Sequence, residues 1–465
     1  MVEGADCGIV ENSLERRPGA GEISDAWYKG LMMRVLHTSD WHLGVMMKRR
    51  RCQKEQSAFL DWLLATMEEK SVEVIVVAGD VFHRANPPNA AQEQYYRFLA
   101  QCSTLPSLKK VVVAAGNHDS PTGIAAPSEL LKHLDIEVVG GVETGDEARQ
   151  QWLCPVEGED GEVEAVVCAV PYLSEARMGI GHQLEESEQE LQKRFSQAFG
   201  ELYEDMARRV RQKWPEAALV ATGHLTCMGE DGELQEGDYH SSLHRSGPAG
   251  KQDQKLVGTI GAFSPDIFGD DYDYVALGHI HRCYPVDRQQ WGGTEVWYSG
   301  TPVPTTRDEL SRRDVLLVDV GSQEPTSVER IEVPRWRQIE VLAGSTEDVL
   351  ESLHEVEGDD EFPPYLYVDV ELAEGEESEQ PRRRIEEKIA ELFDDDQAPQ
   401  VVDYREQRER SVEFDDGGGE LPPLEKMSEE EVFANLYERI HEGEGPPQDV
   451  MSCFHQVLDE YRDQD

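Results

Sequence analysis

Nearly continuous apolar runs mark the first third of the chain: "MRVLH" at 33–37, "VEVIVVA" at 72–78 and "VVVAAG" at 111–116. They lack the strict polar alternation of a half-exposed sheet, so they read as strands buried on both faces. Between them the period changes. Ala58, Leu60, Leu63, Leu64 and Met67 recur at helical spacing, and 90–100 is helical as well. Such strand-helix-strand alternation predicts parallel strands covered by helices on both faces, with function at their carboxyl ends. Further strands are expected at 164–173, 218–225, 272–282, 294–304 and 314–320. Leu184, Leu191, Phe195, Phe199, Leu202, Met206, Val210 and Trp214 step by threes and fours after one early gap of seven, which predicts one long amphipathic helix with an acidic outer face. The polar, Gly-rich stretch 228–256 reads as a loop.

Past "VPRW" at 333–336 the pattern shortens. A strand (339–343), a helix (345–356), a strand (364–372), a helix (381–393) and a strand (400–406) predict a small α+β unit. "DDGGGELPP" at 415–423 is a linker. Ser428 followed by Glu431 makes a capping box for a last helical region, whose apolar stripe is Val432, Phe433, Leu436 and Ile440. The expected organisation is a disordered extension at 1–32, a main domain at 33–332, the α+β unit at 333–414, a linker at 415–427 and a helical region at 428–465. Met33 offers a second start directly before the first strand, which would make the extension dispensable. Several domains suit a chain of 465 residues. No apolar run approaches the roughly 18 residues of a membrane span.

Charge changes the picture. There are 94 acidic against 44 basic residues, a net charge of −50, and only 13 of the 44 are lysines. The acids are spread between well-patterned apolar segments, so they describe an acidic, lysine-poor surface rather than a disordered tail. Salt screens such self-repulsion within a few ångström, which points to a halophilic, salt-rich cytoplasm. The eight cysteines are scattered without a C-x-x-C pair, so neither a disulfide framework nor a zinc finger is indicated. Buried thiols in a reducing compartment fit. The amino terminus lacks a signal-peptide layout, in keeping with a cytoplasmic location.

The chemistry sits at the strand ends. Asp40-x-His42, Gly79-Asp80, Gly116-Asn117-His118-Asp119, Gly223-His224 and Gly278-His279-x-His281 each follow a strand. Alternation would put Asp40 and His42 on one side of the chain, and His279 and His281 likewise. Mixed imidazole and carboxylate ligands suit manganese, iron or zinc better than calcium or magnesium. Seven ligands exceed the need of one ion. With one carboxylate bridging, they suffice for two ions about 3.5–4 Å apart, an arrangement for displacement at phosphorus.

"HTSDWHLG", "AGDVFH", "AGNHDS", "TGHL" and "ALGHIHR" resemble the metallophosphoesterase motifs, specifically those of SbcD DNA repair nucleases of the Mre11 type. The likeness extends through "FLDWLL", "SGTPVP", "DYREQRER" and "EEVFANL", and covers the chain from Met33 onward. It implies an α/β fold, a four-layer αββα sandwich with a small α+β capping domain and C-terminal helices. It implies two divalent metal ions, Mn2+ foremost: one on Asp40, His42 and His281, the other on Asn117, His224 and His279, with Asp80 bridging. His118 would act at the leaving oxygen, Asp119 would orient His118, and His83 would position substrate. The implied activity is 3′-to-5′ exonuclease on duplex DNA and endonuclease on single strands or hairpins. The implied partners are an SbcC-type coiled-coil ATPase, docking on the 428–462 stripe, and a second copy, giving a heterotetramer.

A net charge of −50 sits awkwardly with DNA, but local charge differs. "KRRR" (Lys48, Arg49, Arg50, Arg51) follows the first motif and Arg282 follows the last ligand. These read either as solvated residues or as DNA contacts, and the scarcity of basic clusters favours contact for "KRRR". "RRR" at 382–384 is open between the two. The competing classes are a phosphatase or cyclic-nucleotide phosphodiesterase, against which the capping unit argues, and a non-catalytic scaffold, against which the intact ligand set argues.

Overall fold

A computed structural model of the chain describes residues 32–408 except 49, 142–144, 175, 182–185, 229–261, 287–292, 308, 323 and 373–378, together with scattered positions between 433 and 454. The expected extension at 1–32, the loop at 228–256, the linker and the Ser428 capping box lie almost wholly outside these residues. So does Leu184.

The strands are β1 (Met33–Thr38), β2 (Met46–Met47), β3 (Arg50–Arg51), β4 (Val74–Ala78), β5 (Lys110–Ala114), β6 (Ile136–Val139), β7 (Leu153–Glu157), β8 (Val163–Cys168), β9 (Ala218–His224), β10 (Tyr274–Gly278), β11 (Tyr284–Pro285), β12 (Glu295–Tyr298), β13 (Asp314–Gly321) and β14 (Glu324–Glu332). They form two six-stranded sheets, in the orders β14-β13-β1-β4-β5-β6 and β11-β12-β10-β9-β8-β7, beside the small β2–β3 hairpin. In the first sheet β1, β4, β5 and β6 are parallel. In the second, β8, β9, β10 and β12 are parallel. Antiparallel strands close the edges. β5 lies inside its sheet rather than at an edge.

The expected cover of helices on both sheet faces is corrected: each sheet has helices on one face and the other sheet on its other face. Residue alternation carries this. Val74 and Val76 of β4 pack into the core shared with the second sheet. Ile75 and Val77 pack against Phe59 and Leu63 of α1 (Gln53–Glu69) and Tyr95 and Phe98 of α2 (Asn89–Cys102). The strands are buried on both sides, so their sequences read as unbroken apolar runs. The long helix α3 (Glu188–Lys213) starts at Ser187, whose capping box with Glu190 satisfies the first amides. It lays Phe195, Phe199, Leu202, Tyr203, Met206 and Val210 on the second sheet, and each is almost wholly buried. Burying a side chain of this kind stabilises by about 1.5–3 kcal/mol. The architecture is the αββα sandwich expected.

Beyond this, β15 (Ile339–Ser345), β16 (Tyr365–Leu372) and β17 (Gln400–Arg408) make a third sheet backed by α4 (Thr346–Ser352) and α5 (Glu379–Leu392). It has its own apolar cluster around Leu366, Val368 and Ile385. A second cluster joins it to the hairpin region: Val45, Met47 and Cys52 pack on Ile339, Tyr365 and Tyr367. The buried Arg337 guanidinium pairs with Glu55 of α1 and lies over the Tyr365 ring at 4.3 Å. Residues 408–465 form a separate unit, in which Phe433 of the expected stripe stacks on Phe454 with ring centroids 4.3 Å apart. The six described cysteines are buried. Burial pushes the Cys52, Cys102, Cys168 and Cys283 thiols up to about 12, so they are poor nucleophiles.

Candidate metal centre

Five parallel strands, three from the first sheet and two from the second, end at one place. β1 delivers Asp40 and His42, β4 delivers Asp80, and β5 delivers Asn117, His118 and Asp119. β9 ends on His224, and β10 leads to His279 and His281. The alternation argument for Asp40/His42 and His279/His281 is corrected, because all four lie beyond the last strand residue. Three of them, Asp40 (φ 53°), His42 (45°) and His279 (95°), converge instead through left-handed backbone, as does Asp80 (50°). Positive φ is uncommon for residues with a Cβ and concentrates at functional sites. The loops are laced together by Asp40 N–H donating to Gly79 O (3.0 Å), His42 N–H to Asp80 O (3.0 Å) and Leu43 N–H to Val81 O (2.9 Å). Two glycines permit the close approach. A Cβ on Gly79 (φ 94°) would strike the His224 ring, and one on Gly116 would strike the Asp80 carboxylate.

Asp80 sits at the middle. Its Oδ2 is 3.3 Å from His224 Nε2, 3.7 Å from His42 Nε2 and 4.0 Å from His118 Nε2. His42 Nε2 faces His281 Nε2 at 3.1 Å. Asn117 Oδ1 lies 3.0 Å from His224 Nε2 and 3.1 Å from His279 Nδ1. Asp40 accepts the His279 amide at 3.1 Å and the Ser39 hydroxyl at 2.5 Å. Ligand atoms of Asp40, His42 and His281 lie within 4.8 Å of one another, and so do those of Asp40, Asp80 and His224. All seven expected ligands are thus brought together. Nitrogen and oxygen donors aimed at one another, six buried and Asn117 half-buried, carboxylates included, fit divalent transition-type cations.

The electrostatics agree. Burial alone would raise the Asp80 carboxyl, but the imidazoles of His224 and His42 beside it hold it well below the usual carboxylate range. Burial raises Asp40. His224 would be lowered by burial, yet the Asp80 and Asp40 charges lift it to about 9. His279 is pushed down to about 3 by burial and by His224.

Asp119 requires a correction. It does not orient the His118 ring. Its carboxylate accepts from the amides of Gly116 (2.8 Å), Phe82 (2.9 Å) and Val81 (3.2 Å), so it ties the β4 and β5 loops together. The group on His118 Nδ1 is the His83 carbonyl at 2.9 Å. The His83 ring stacks on His118, with centroids 5.8 Å apart. Among the basic residues, Lys48 Nζ meets Asp403 of β17 at 3.1 Å, Arg50 and Arg51 are exposed on β3, and Arg282 lies over the Tyr284 ring at 4.9 Å. Arg49 lies outside the described residues.

Residues the sequence did not flag complete the centre. Ser299 and Thr301, inside "SGTPVP", hold Ser39 Oγ (2.8 Å) and Asp40 O (2.8 Å). Glu309 meets His281 Nδ1 at 2.6 Å. Burial would raise the Glu309 carboxyl, but His281 and Arg313 hold it at about 2. It lies 28 residues past its partner, so no local spacing pointed to it.

Paired buried carboxylates and histidines at the strand ends of an αββα sandwich define a class. The chain belongs to the calcineurin-like phosphoesterase family, whose model matches residues 33–283. Within that family it falls in the SbcD branch and is a metal-dependent hydrolase. It is 31% identical over 411 residues to the SbcD chain of nuclease SbcCD from Escherichia coli strain K12, covering 86% of this chain and 92% of that one. The corresponding nuclease SbcCD chain from Rhodobacter capsulatus is 31% identical over 297 residues (62% of this chain, 67% of that one), and that of Bacillus subtilis 28% over 316 (67% and 70%). Among the described residues no helix is long and apolar enough to cross a membrane.

Proposed function

We propose that this chain is the nuclease subunit of an SbcCD-type DNA repair complex, hydrolysing phosphodiester bonds as a 3′-to-5′ exonuclease on duplex DNA and an endonuclease on single strands and hairpins. One observation carries the reading. Six ligands surround Asp80, the seventh, and beside them stands His118, whose side chain is 16% exposed while those of His42 and His224 are fully covered. Asp40, His42 and His281 would hold one Mn2+ and Asn117, His224 and His279 the other, with Asp80 shared. When bound, the two ions would supply Lewis acidity and neutralise charge developing on the phosphate. His118 gives a proton to the departing sugar oxygen, held in aim by the His83 carbonyl, and the His83 ring supports the substrate side. Asp119 keeps the two ligand loops in register.

In this reading 333–414 is a domain that caps the DNA, Lys48, Arg49, Arg50, Arg51 and Arg282 contact its backbone, and 428–465 docks on a coiled-coil ATPase. The working assembly is a heterotetramer with two copies of this chain, in a salt-rich cytoplasm. The test is cleavage of linear duplex DNA with manganese in high potassium chloride, beside Asp80→Ala. Cleavage by the wild type alone is expected. A folded, metal-loaded wild type that hydrolyses a small aryl phosphodiester but leaves DNA intact, even with the ATPase, refutes the nuclease reading.

A further inference from the structure

His281 has two ring nitrogens with different surroundings. Nε2 faces the His42 Nε2 at 3.1 Å, inside the group formed with Asp40. Nδ1 faces Glu309 Oε1 at 2.6 Å. An ionised carboxylate only accepts hydrogen bonds, so this contact places the ring proton on Nδ1 and leaves the Nε2 lone pair for a cation. His224 and His118 differ, because their Nδ1 atoms meet backbone carbonyls of Ala78 and His83. We propose that Glu309 is a positioning residue for His281, fixing the tautomer and orientation with which the ring holds the ion it shares with Asp40 and His42. The inference rests on the two-ion reading above.

Glu309 is itself held. Its Oε2 accepts from Thr305 N–H (2.6 Å), the Thr305 hydroxyl (2.9 Å) and Thr306 N–H (3.3 Å). The side chain is fully buried, so an accepting carboxylate there is surrounded by donors alone. Arg313 closes the loop by donating to Glu309 O (3.2 Å) and to His281 O (2.6 Å). From the far side, Arg307 pairs with Asp369 of β16 at 3.0 Å, so the loop bearing Glu309 is anchored on the third sheet. A carboxylate behind a metal-bound imidazole raises its basicity and fixes its plane, and losing one typically costs about 10–100-fold in metal affinity.

Glu309→Gln keeps the shape but sets an amide N–H2 against either the Nδ1–H or the threonine donors. Manganese titration of the full chain, followed by the EPR signal of the free ion, should show two sites in the wild type. In Glu309→Gln one site should weaken about 10–100-fold while the other keeps its affinity. Glu309→Asp should recover part of the loss. Histidine 15N NMR of the metal-free chain, at a pH high enough to leave the ring neutral and assigned with His281→Asn, should show His281 protonated at Nδ1 in the wild type and a tautomer mixture in Glu309→Gln. Unchanged affinity at both sites in Glu309→Gln overturns the proposal. So does equal weakening of both sites with lowered thermal stability in both variants, which marks a packing role. A wild type that binds fewer than two ions overturns the two-ion reading and this inference with it.

Discussion

Raising the pH from 6.5 to 9 should tighten metal binding about 150-fold at the position that uses His224 in this reading. The ring sits 3.3 Å from Asp80 Oδ2, and burial, which lowers its pKa, is outweighed by the Asp80 and Asp40 charges, which lift it to about 9. A rise from 6.5 to about 9 corresponds to about 3 kcal/mol in favour of the imidazolium. A cation coordinates only the neutral ring, so it must displace that proton. Affinity should therefore climb about tenfold per pH unit and level off near pH 9. Asp80 is already ionised over this window, because its neighbours hold it far below the carboxylate range, so it adds no opposing slope. Stability of the metal-free chain moves the other way. The contribution of a histidine with a raised pKa is fully present below pH 6.5 and is lost as the pH passes through about 9. His281 is raised too, by Glu309, so the other ion should also release a proton. Anaerobic calorimetric titration with Mn2+ in two buffers of different protonation enthalpy counts the protons released, and a pH series gives the slope. A flat affinity from pH 6.5 to 9 with no proton released would refute the reasoning.

Three further outcomes can be checked directly. His118→Ala should lower DNA cleavage about 10²–10⁴-fold while metal content stays at the wild-type value, because in the proposed reading the ring is a proton donor rather than a ligand; loss of both ions on metal analysis would remove that assignment. Gly79→Ala forces a Cβ into the His224 ring at a φ of 94°, so the chain should lose about 1–3 kcal/mol of stability and weaken metal binding at the same position, read by thermal unfolding and metal content. Arg337→Ala leaves Glu55 buried at 5% exposure without its cation, and urea unfolding should show a loss of about 3–5 kcal/mol, most of it recovered in Glu55→Gln/Arg337→Met.

The strands that carry the motifs were legible from the chain alone, since a strand buried on both faces must be apolar throughout and must break where it meets polar ligands. The third sheet was legible too: the expected strands at 339–343, 364–372 and 400–406 match β15, β16 and β17 within a few residues. Edge strands such as β6, β7, β11 and β14 were not, because they are brief or mostly polar and take their pairing from neighbours. Which residues are candidates for the chemistry was legible from local sequence, because five clusters of Asp, His and Asn recur in one order, each directly after a strand. How they meet was not. Asp40, His42 and His279 reach their places through left-handed backbone that no alternation rule describes, stabilised by bonds to loops far away in sequence. Asp119 stands next to His118 in sequence, yet its oxygens are taken by three amides, two of them from another loop. Glu309 shows no local signal, because a hydrogen bond across 28 residues exists only once β10 and the loop before β13 have packed side by side. The sequence by itself determined the elements and the ligand inventory, which depend on local apolar periodicity and residue type. The tertiary structure alone decided which atoms face one another, because burial and pairing across distant loops fix side-chain direction, tautomer and charge.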